Sequence, residues 1–108
     1  MMIRWVAIFV AACDGGPHLD SATPASASAN AIVAIAGRHL CGSNADCTNA
    51  GGAVEIGLSP PTVQAIIVSY TDTAAQIQIP AIAPIGKTDL VLVVNDHASN
   101  ALAFEVLP

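Results

Sequence analysis

The sequence predicts an all-β protein folded as an antiparallel β-sandwich. Short segments alternate β-branched apolar residues with small or polar ones, and clusters of turn residues separate these segments. No segment of about ten residues or more has the apolar spacing of an amphipathic helix. The chain has 108 residues, which is enough for one domain of ordinary size.

The alternating pattern of a strand is weak in the first segments of the domain and becomes regular after residue 30. Residues 21–30, SATPASASAN, are small and polar with one proline, which favours a loop or a broken edge strand. Residues 31–37, AIVAIAG, place Val33 and Ile35 on one face and two alanines on the other. This alternation predicts a half-buried strand that ends at Gly37.

The middle of the chain predicts three more strands. In residues 53–57, AVEIG, Val54 and Ile56 flank Glu55, and the sequence SPP at 59–61 stops the strand. Residues 62–70, TVQAIIVSY, are largely β-branched and predict one strand. The sequence TDT at 71–73 provides a turn before the alternating segment AQIQI at 75–79.

The last third predicts two strands joined by a turn. Residues 80–86, PAIAPIG, contain two prolines and cannot form a helix. Residues 95–100, NDHASN, are the most turn-like stretch of the chain. The expected core residues on either side of this turn alternate along their strands: Thr88, Leu90, Leu92 and Val94, then Leu102, Phe104 and Val106.

Residues 1–12 have the features of a bacterial export signal. Arg4 precedes a short apolar run, and Ala11 and Ala12 precede Cys13. The sequence VAAC at 10–13 resembles the lipobox of bacterial lipoproteins, which implies that the Cys13 thiol receives a diacylglyceryl group and that cleavage precedes it. An ordinary secretory signal and an N-terminal strand are the alternatives. The apolar run is too short to span a bilayer.

The lipoprotein interpretation predicts a protein of the bacterial cell envelope, periplasmic or surface-exposed, whose partner is the membrane through acyl chains on Cys13. Residues 13–16 would form a short tether. Removal of Arg4 changes the formal net charge from −5 to −6. With 3 basic residues against 8 acidic ones, the chain has no basic surface for nucleic acid, which we exclude as a partner.

Seven motifs in order resemble the IPT/TIG domain, an immunoglobulin-like module. They lie within residues 17–108 and match the family's strand motifs in the following stretches: PHLDSATP at 17–24, IAGRHL at 35–40, VEIG at 54–57, VSYTDT at 68–73, IQIPA at 77–81, the run from Gly86 to Asn95, and SNALAFEV at 99–106. The resemblance implies an immunoglobulin-like antiparallel sandwich of about seven strands. The cysteine loop and the doubled proline at 60–61 depart from the family pattern.

Two cysteines, Cys41 and Cys47, remain once Cys13 carries lipid. An even number of cysteines in an exported chain predicts a disulfide between them. A metal site made with His39 is the alternative, but the spacing fits no tetrahedral zinc pattern. We therefore expect no metal and no cofactor. Calcium bound by oxygen atoms of Asn95, Asp96 and Asn100 remains open.

The sequence predicts a binding or structural module without catalytic residues. It contains no G-x-S-x-G motif, and Asp96 beside His97 has no nucleophile assigned to it. Contacts are expected from loops on the rigid sandwich, with the candidate residues Asn44, Asp46, Tyr70, Asp96 and His97. The expected partner is an envelope protein or a surface glycan. The alternative function is an accessory carbohydrate-binding subunit of a surface glycan-processing system, which an exposed Tyr70 would favour and a buried one would not.

Overall fold

The computed structural model describes residues 16–42, 47, 52–57 and 62–108. The predicted signal peptide, Cys13 and most of the tether lie outside the described residues, as do Asn44 and Asp46. The described residues form strands and no helix. The strands are β1 His18–Thr23, β2 Ser26–Ser28, β3 Ile32–Arg38, β4 Ala53–Ile56, β5 Val63–Gln64, β6 Ile66–Tyr70, β7 Ala74–Gln78, β8 Gly86–Val94, β9 His97–Ala98 and β10 Leu102–Leu107.

The strands form the two sheets of a β-sandwich, which confirms the predicted fold class. One sheet has four strands in the order β1-β3-β7-β6, and all its pairs are antiparallel. The other has six strands in the order β2-β10-β8-β4-β5, with β9 paired to β8. The β2–β10 pair is parallel, whereas the remaining pairs of this sheet are antiparallel.

Both open sides of the sandwich are closed by a strand that moves from one sheet to the other. On the first side, β1 ends before the cis Thr23–Pro24 peptide and the chain continues as β2 in the opposite sheet. On the second, the Ala65 N–H bonds the Val54 carbonyl at 2.9 Å, and Ile66 then pairs with Gln78 in the other sheet. The segment at 62–70, predicted as one strand, is therefore two.

These two transitions explain the strand count. Counting β1 with β2 and β5 with β6 as strands that change sheets reduces the ten described strands to eight. The two-residue β9 is the short return arm of a hairpin with β8, and without it seven strands remain. This agrees with the number that the family resemblance implies. The strand predicted to end at Gly37 continues by one residue, because Arg38 pairs with His18 of β1.

The core lies between the sheets and is largely aliphatic. Val33, Ile35 and Leu40 are fully buried, and Phe104, the expected aromatic core residue, is 3% exposed. Leu90, Leu92 and Val94 are also buried, whereas Thr88 at the start of the same face is half-buried. No charged or polar side chain of the described residues is buried. None of these residues belongs to a helix that could cross a membrane.

Candidate functional site

The Cys41–Cys47 disulfide lies at one end of the sandwich. The structure joins the two sulfur atoms and places their Cα atoms 4.8 Å apart, which confirms the predicted pairing. Cys41 is buried in the core cluster and Cys47 packs against it from the surface. We call this end, formed by residues 39–42, Cys47, the turn at 71–73 and the turn at 95–96, the disulfide end.

Hydrogen bonds from the β6–β7 turn fix the backbone that leads into the disulfide. The Leu40 N–H donates to the Asp72 carbonyl at 2.9 Å, and the Cys41 N–H donates to Asp72 Oδ1 at 3.2 Å. The Tyr70 hydroxyl donates to the Leu40 carbonyl oxygen. Asp72 therefore positions the disulfide, a role that its place in a predicted turn did not reveal.

Tyr70 is a structural residue of this end. Its side chain is half-buried, and its hydroxyl is committed to Leu40. The ring lies so close to Gly52 that a Cβ atom at Gly52 would overlap the Tyr70 hydroxyl oxygen. Burial raises the pKa of Tyr70, and the nearby Asp72 carboxylate raises it further. The hydroxyl end of the ring is therefore committed to contacts within the protein.

The turn between β8 and β9 lies beside the disulfide. His97 pairs with Val94, so the loop consists of Asn95 and Asp96, both with positive φ (51° and 65°). Two-residue hairpin loops require this backbone conformation, and Asn and Asp tolerate it better than most residues. The Asn95 side chain packs against Gly42, and a Cβ atom at residue 42 would overlap the Asn95 amide nitrogen. The segment that leads into the disulfide and the β8–β9 turn therefore meet at one end.

The candidate residues of this turn differ in their surroundings. Asp96 and His97 are exposed, so both can reach a partner. Asn100, the third oxygen ligand of the calcium alternative, uses both polar atoms of its amide to bond the Leu19 backbone. The described residues contain no group of three potential metal ligands. The turn geometry accounts for Asn95 and Asp96 without an ion.

Other ionisable groups lie along the β1 edge. His18 Nε2 is 3.2 Å from Asp20 Oδ1, and both side chains are about half exposed. His39 is exposed at the disulfide end, with a positive φ of 56°. The predicted metal alternative would need His39 beside Cys41 and Cys47, but the disulfide occupies both thiols.

A shallow groove lies away from the disulfide end. It encloses about 320 Å³ and is lined by Ala25, Lys87, Thr88, Ala103 and Phe104. Its lining is mostly apolar. Among its described lining residues, Lys87 is the one ionisable side chain.

Comparison with known proteins supports the fold. No family model matches the chain, and no curated protein matches it. Among solved structures it is similar to part of the gamma-CGTase from alkalophilic Bacillus clarkii, with a TM-score of 0.70 and 18% sequence identity. The match covers 86% of this chain but 12% of that one. At this identity the likeness establishes the fold alone, an all-β sandwich of immunoglobulin-like type.

Proposed function

We propose that this chain is a lipid-anchored protein of the bacterial cell envelope whose single immunoglobulin-like domain, of IPT/TIG type, is a non-enzymatic binding or structural module. The observation that carries this proposal is the disulfide end, where residues 40–42 and the β8–β9 turn are fixed together at one end of the sandwich. The disulfide agrees with an exported chain, because structural disulfides persist in oxidising compartments. The lipobox-like sequence before Cys13 supports the anchor.

The disulfide end is suited to binding because contacts within the protein fix its described segments. Asp72 and Tyr70 hold residues 40–41, and Asn95 packs against Gly42. These segments therefore lose little conformational entropy when a partner binds. The exposed Asp96 and His97 provide polar groups at the rim of this surface.

Two measurements test the proposal. Mass spectrometry of the full chain purified from bacterial membranes is expected to find acyl chains on an N-terminal Cys13, and Cys13→Ala is expected to abolish membrane association. Crosslinking from Asp96 is expected to capture an envelope component, and crosslinking from Ala103, exposed outside this end, serves as the control. An unmodified Cys13 would remove the anchor, and equal capture from both positions would remove the binding surface.

Carbohydrate binding is the second candidate, and the structural neighbour favours it. That neighbour is a carbohydrate-active enzyme, and the match to a small part of its chain is compatible with a carbohydrate-binding or structural module. Against this candidate, Phe104 is buried and the Tyr70 hydroxyl points into the protein. No Phe, Tyr or Trp side chain of the described residues is exposed.

A glycan array probed with the full chain distinguishes the two candidates. The protein-contact proposal predicts no glycan signal above that of a heat-unfolded control. A specific signal that Tyr70→Ala removes and Tyr70→Phe retains would favour carbohydrate recognition through the ring, since the phenylalanine keeps the aromatic face.

A further inference from the structure

The two outer faces of the sandwich differ in charge. We call the outward side of β3, β7 and β6 the neutral face. Cross-strand partners share one face of a sheet, so Ala34 and Gln76 lie side by side on it, as do Ile32 and Gln78. Ile32 and Ile66 on this face are 45% and 52% exposed, and Val68, at the β6 bulge, is 53% exposed. Arg38, at one end, is the one charged residue of these three strands.

The outward side of the six-stranded sheet, which we call the acidic face, carries most of its charge as carboxylates. Glu55 on β4, Asp89 on β8 and Glu105 on β10 alternate with buried residues of their strands and therefore point outward. Lys87 pairs across the strands with Glu105 and is the one basic residue of this sheet. Asp20, exposed on the β1 edge of the four-stranded sheet, offsets Arg38, so the acidic face carries about two more negative charges than the opposite side of the sandwich.

The tether enters the domain at the edge of the neutral face. Pro17 leads directly into β1, which is the edge strand of the four-stranded sheet. His18 pairs with Arg38, so the exposed Arg38 guanidinium lies where the chain enters. From Cys13 to Pro17 the extended chain reaches at most about 14 Å. This distance is shorter than β8, whose nine residues span about 30 Å.

We infer that the neutral face lies against the bilayer that holds the acyl chains of Cys13, and that the acidic face points away from it. This inference rests on the proposed lipid anchor. An anionic lipid surface repels a chain of net charge −6, and this repulsion is lowered when the carboxylates point away from the bilayer. Arg38 is then within reach of lipid phosphates, and Ile32 and Ile66 face the interfacial region instead of bulk water.

The test uses the full chain purified with its anchor and reconstituted into phosphatidylcholine vesicles with about a third phosphatidylglycerol. Gln76→Cys and Ala103→Cys, one on each face, are labelled with the same fluorophore while the disulfide stays oxidised. A quencher attached to lipid headgroups is expected to quench the label at 76 at least about twofold more than the label at 103. Raising the salt concentration is expected to reduce this difference, because salt screens surface charges.

Charge variants provide matched controls. In the chain labelled at residue 76, Ala34→Glu adds a carboxylate to the neutral face and is expected to lower quenching to the level seen at 103. Ala103→Glu adds the same charge to the acidic face and is expected to leave quenching at 76 unchanged. Both positions are exposed, so folding is preserved in each case.

The results of these experiments distinguish failure of the proposed lipid anchor from failure of the inferred orientation. Failure of the unmodified chain to float with vesicles would overturn the anchor and the orientation together. Flotation with equal quenching at 76 and 103 would overturn the orientation alone. Protection of the label at 76 that grows with protein concentration in the absence of vesicles would assign the neutral face to a second copy of the chain, which also overturns the inference.

Discussion

The side chain of Asn100 holds Leu19 by both of its backbone polar groups. The Leu19 N–H donates to Asn100 Oδ1 at 2.7 Å, and Asn100 Nδ2 donates to the Leu19 carbonyl at 2.9 Å. The amide thus takes the place of a neighbouring strand along the free edge of β1. Because Asn100 precedes β10 of the other sheet, the pair also ties the two sheets together.

Replacing Asn100 by Ala is expected to lower the free energy of unfolding by about 1–3 kcal/mol, because two partly buried backbone groups lose their partner. Urea unfolding followed by circular dichroism measures the loss. Gln76→Ala removes an amide from the exposed outer surface and is expected to change stability by less than about 0.5 kcal/mol. Equal effects of the two variants would contradict the assigned role of Asn100.

Tyr70→Phe is expected to lower the free energy of unfolding by about 1–2 kcal/mol, since the Leu40 carbonyl loses its hydroxyl donor while the ring remains. Hydrogen exchange is expected to show faster exchange at the Leu40 and Cys41 amides, which lie in the same segment. Unchanged exchange at these amides would show that Tyr70 does not hold the disulfide end.

Stability is expected to fall in alkaline solution through Tyr70. Burial, and to a lesser extent Asp72, raises the pKa of Tyr70 in the folded chain above its ordinary value. The unfolded chain therefore loses this proton first, so the folded state holds more protons and its stability decreases with rising pH. The contribution is complete below about pH 10 and is lost as pH rises through the folded pKa. Tyr70→Phe should show a shallower decline above about pH 10, measured by urea midpoints.

Removing the disulfide is expected to cost about 2 kcal/mol by the loop-closure model, because the bridge closes a ring with a sequence separation of only 6. The double variant Cys41→Ala, Cys47→Ala should therefore still fold. Its far-ultraviolet circular dichroism should remain native, since Asp72 and Tyr70 still bond the backbone at 40–41. Global unfolding of the double variant at room temperature would show that these bonds depend on the bridge.

Gly37→Ala tests the close approach of β1 and β3. A Cβ atom at residue 37 would overlap the His18 carbonyl oxygen, which is backbone and cannot rotate away. We expect a loss of about 1–3 kcal/mol from the resulting displacement of the strands. Ala36→Gly, one position along and exposed, changes only local backbone freedom and should cost about 1 kcal/mol or less.

The strands were predictable where one face alone is buried. Val33 and Ile35 alternate with exposed alanines, so their period of two appears directly in the sequence. The transition at Ala65 was not predictable, because the β-branched residues on both sides favour strand equally and only the Val54 carbonyl decides where the chain changes sheets. The parallel pairing of β2 depends likewise on a strand about 80 residues away.

The site was predictable in its parts and less so in its arrangement. The even number of remaining cysteines predicted the disulfide, and the turn residues Asn95 and Asp96 predicted the hairpin loop. The meeting of these two loops, and the roles of Asp72 and Asn100, depend on contacts between residues distant in sequence. A turn residue and a residue that holds another segment have the same local signature, so composition does not distinguish them.

The parallel pairing of β2 with β10 determines how the domain resists a pulling force. The pairs Glu105–Ser26, Val106–Ala27 and Leu107–Ser28 join a strand near the start of the domain to its last strand. Tension applied between the two ends of the chain therefore acts on these hydrogen bonds in shear, along the strand axis. Under shear the bonds must break together and not one after another. A protein stretched between an anchor and a bound partner would stay folded until the hydrogen bonds between β2 and β10 break.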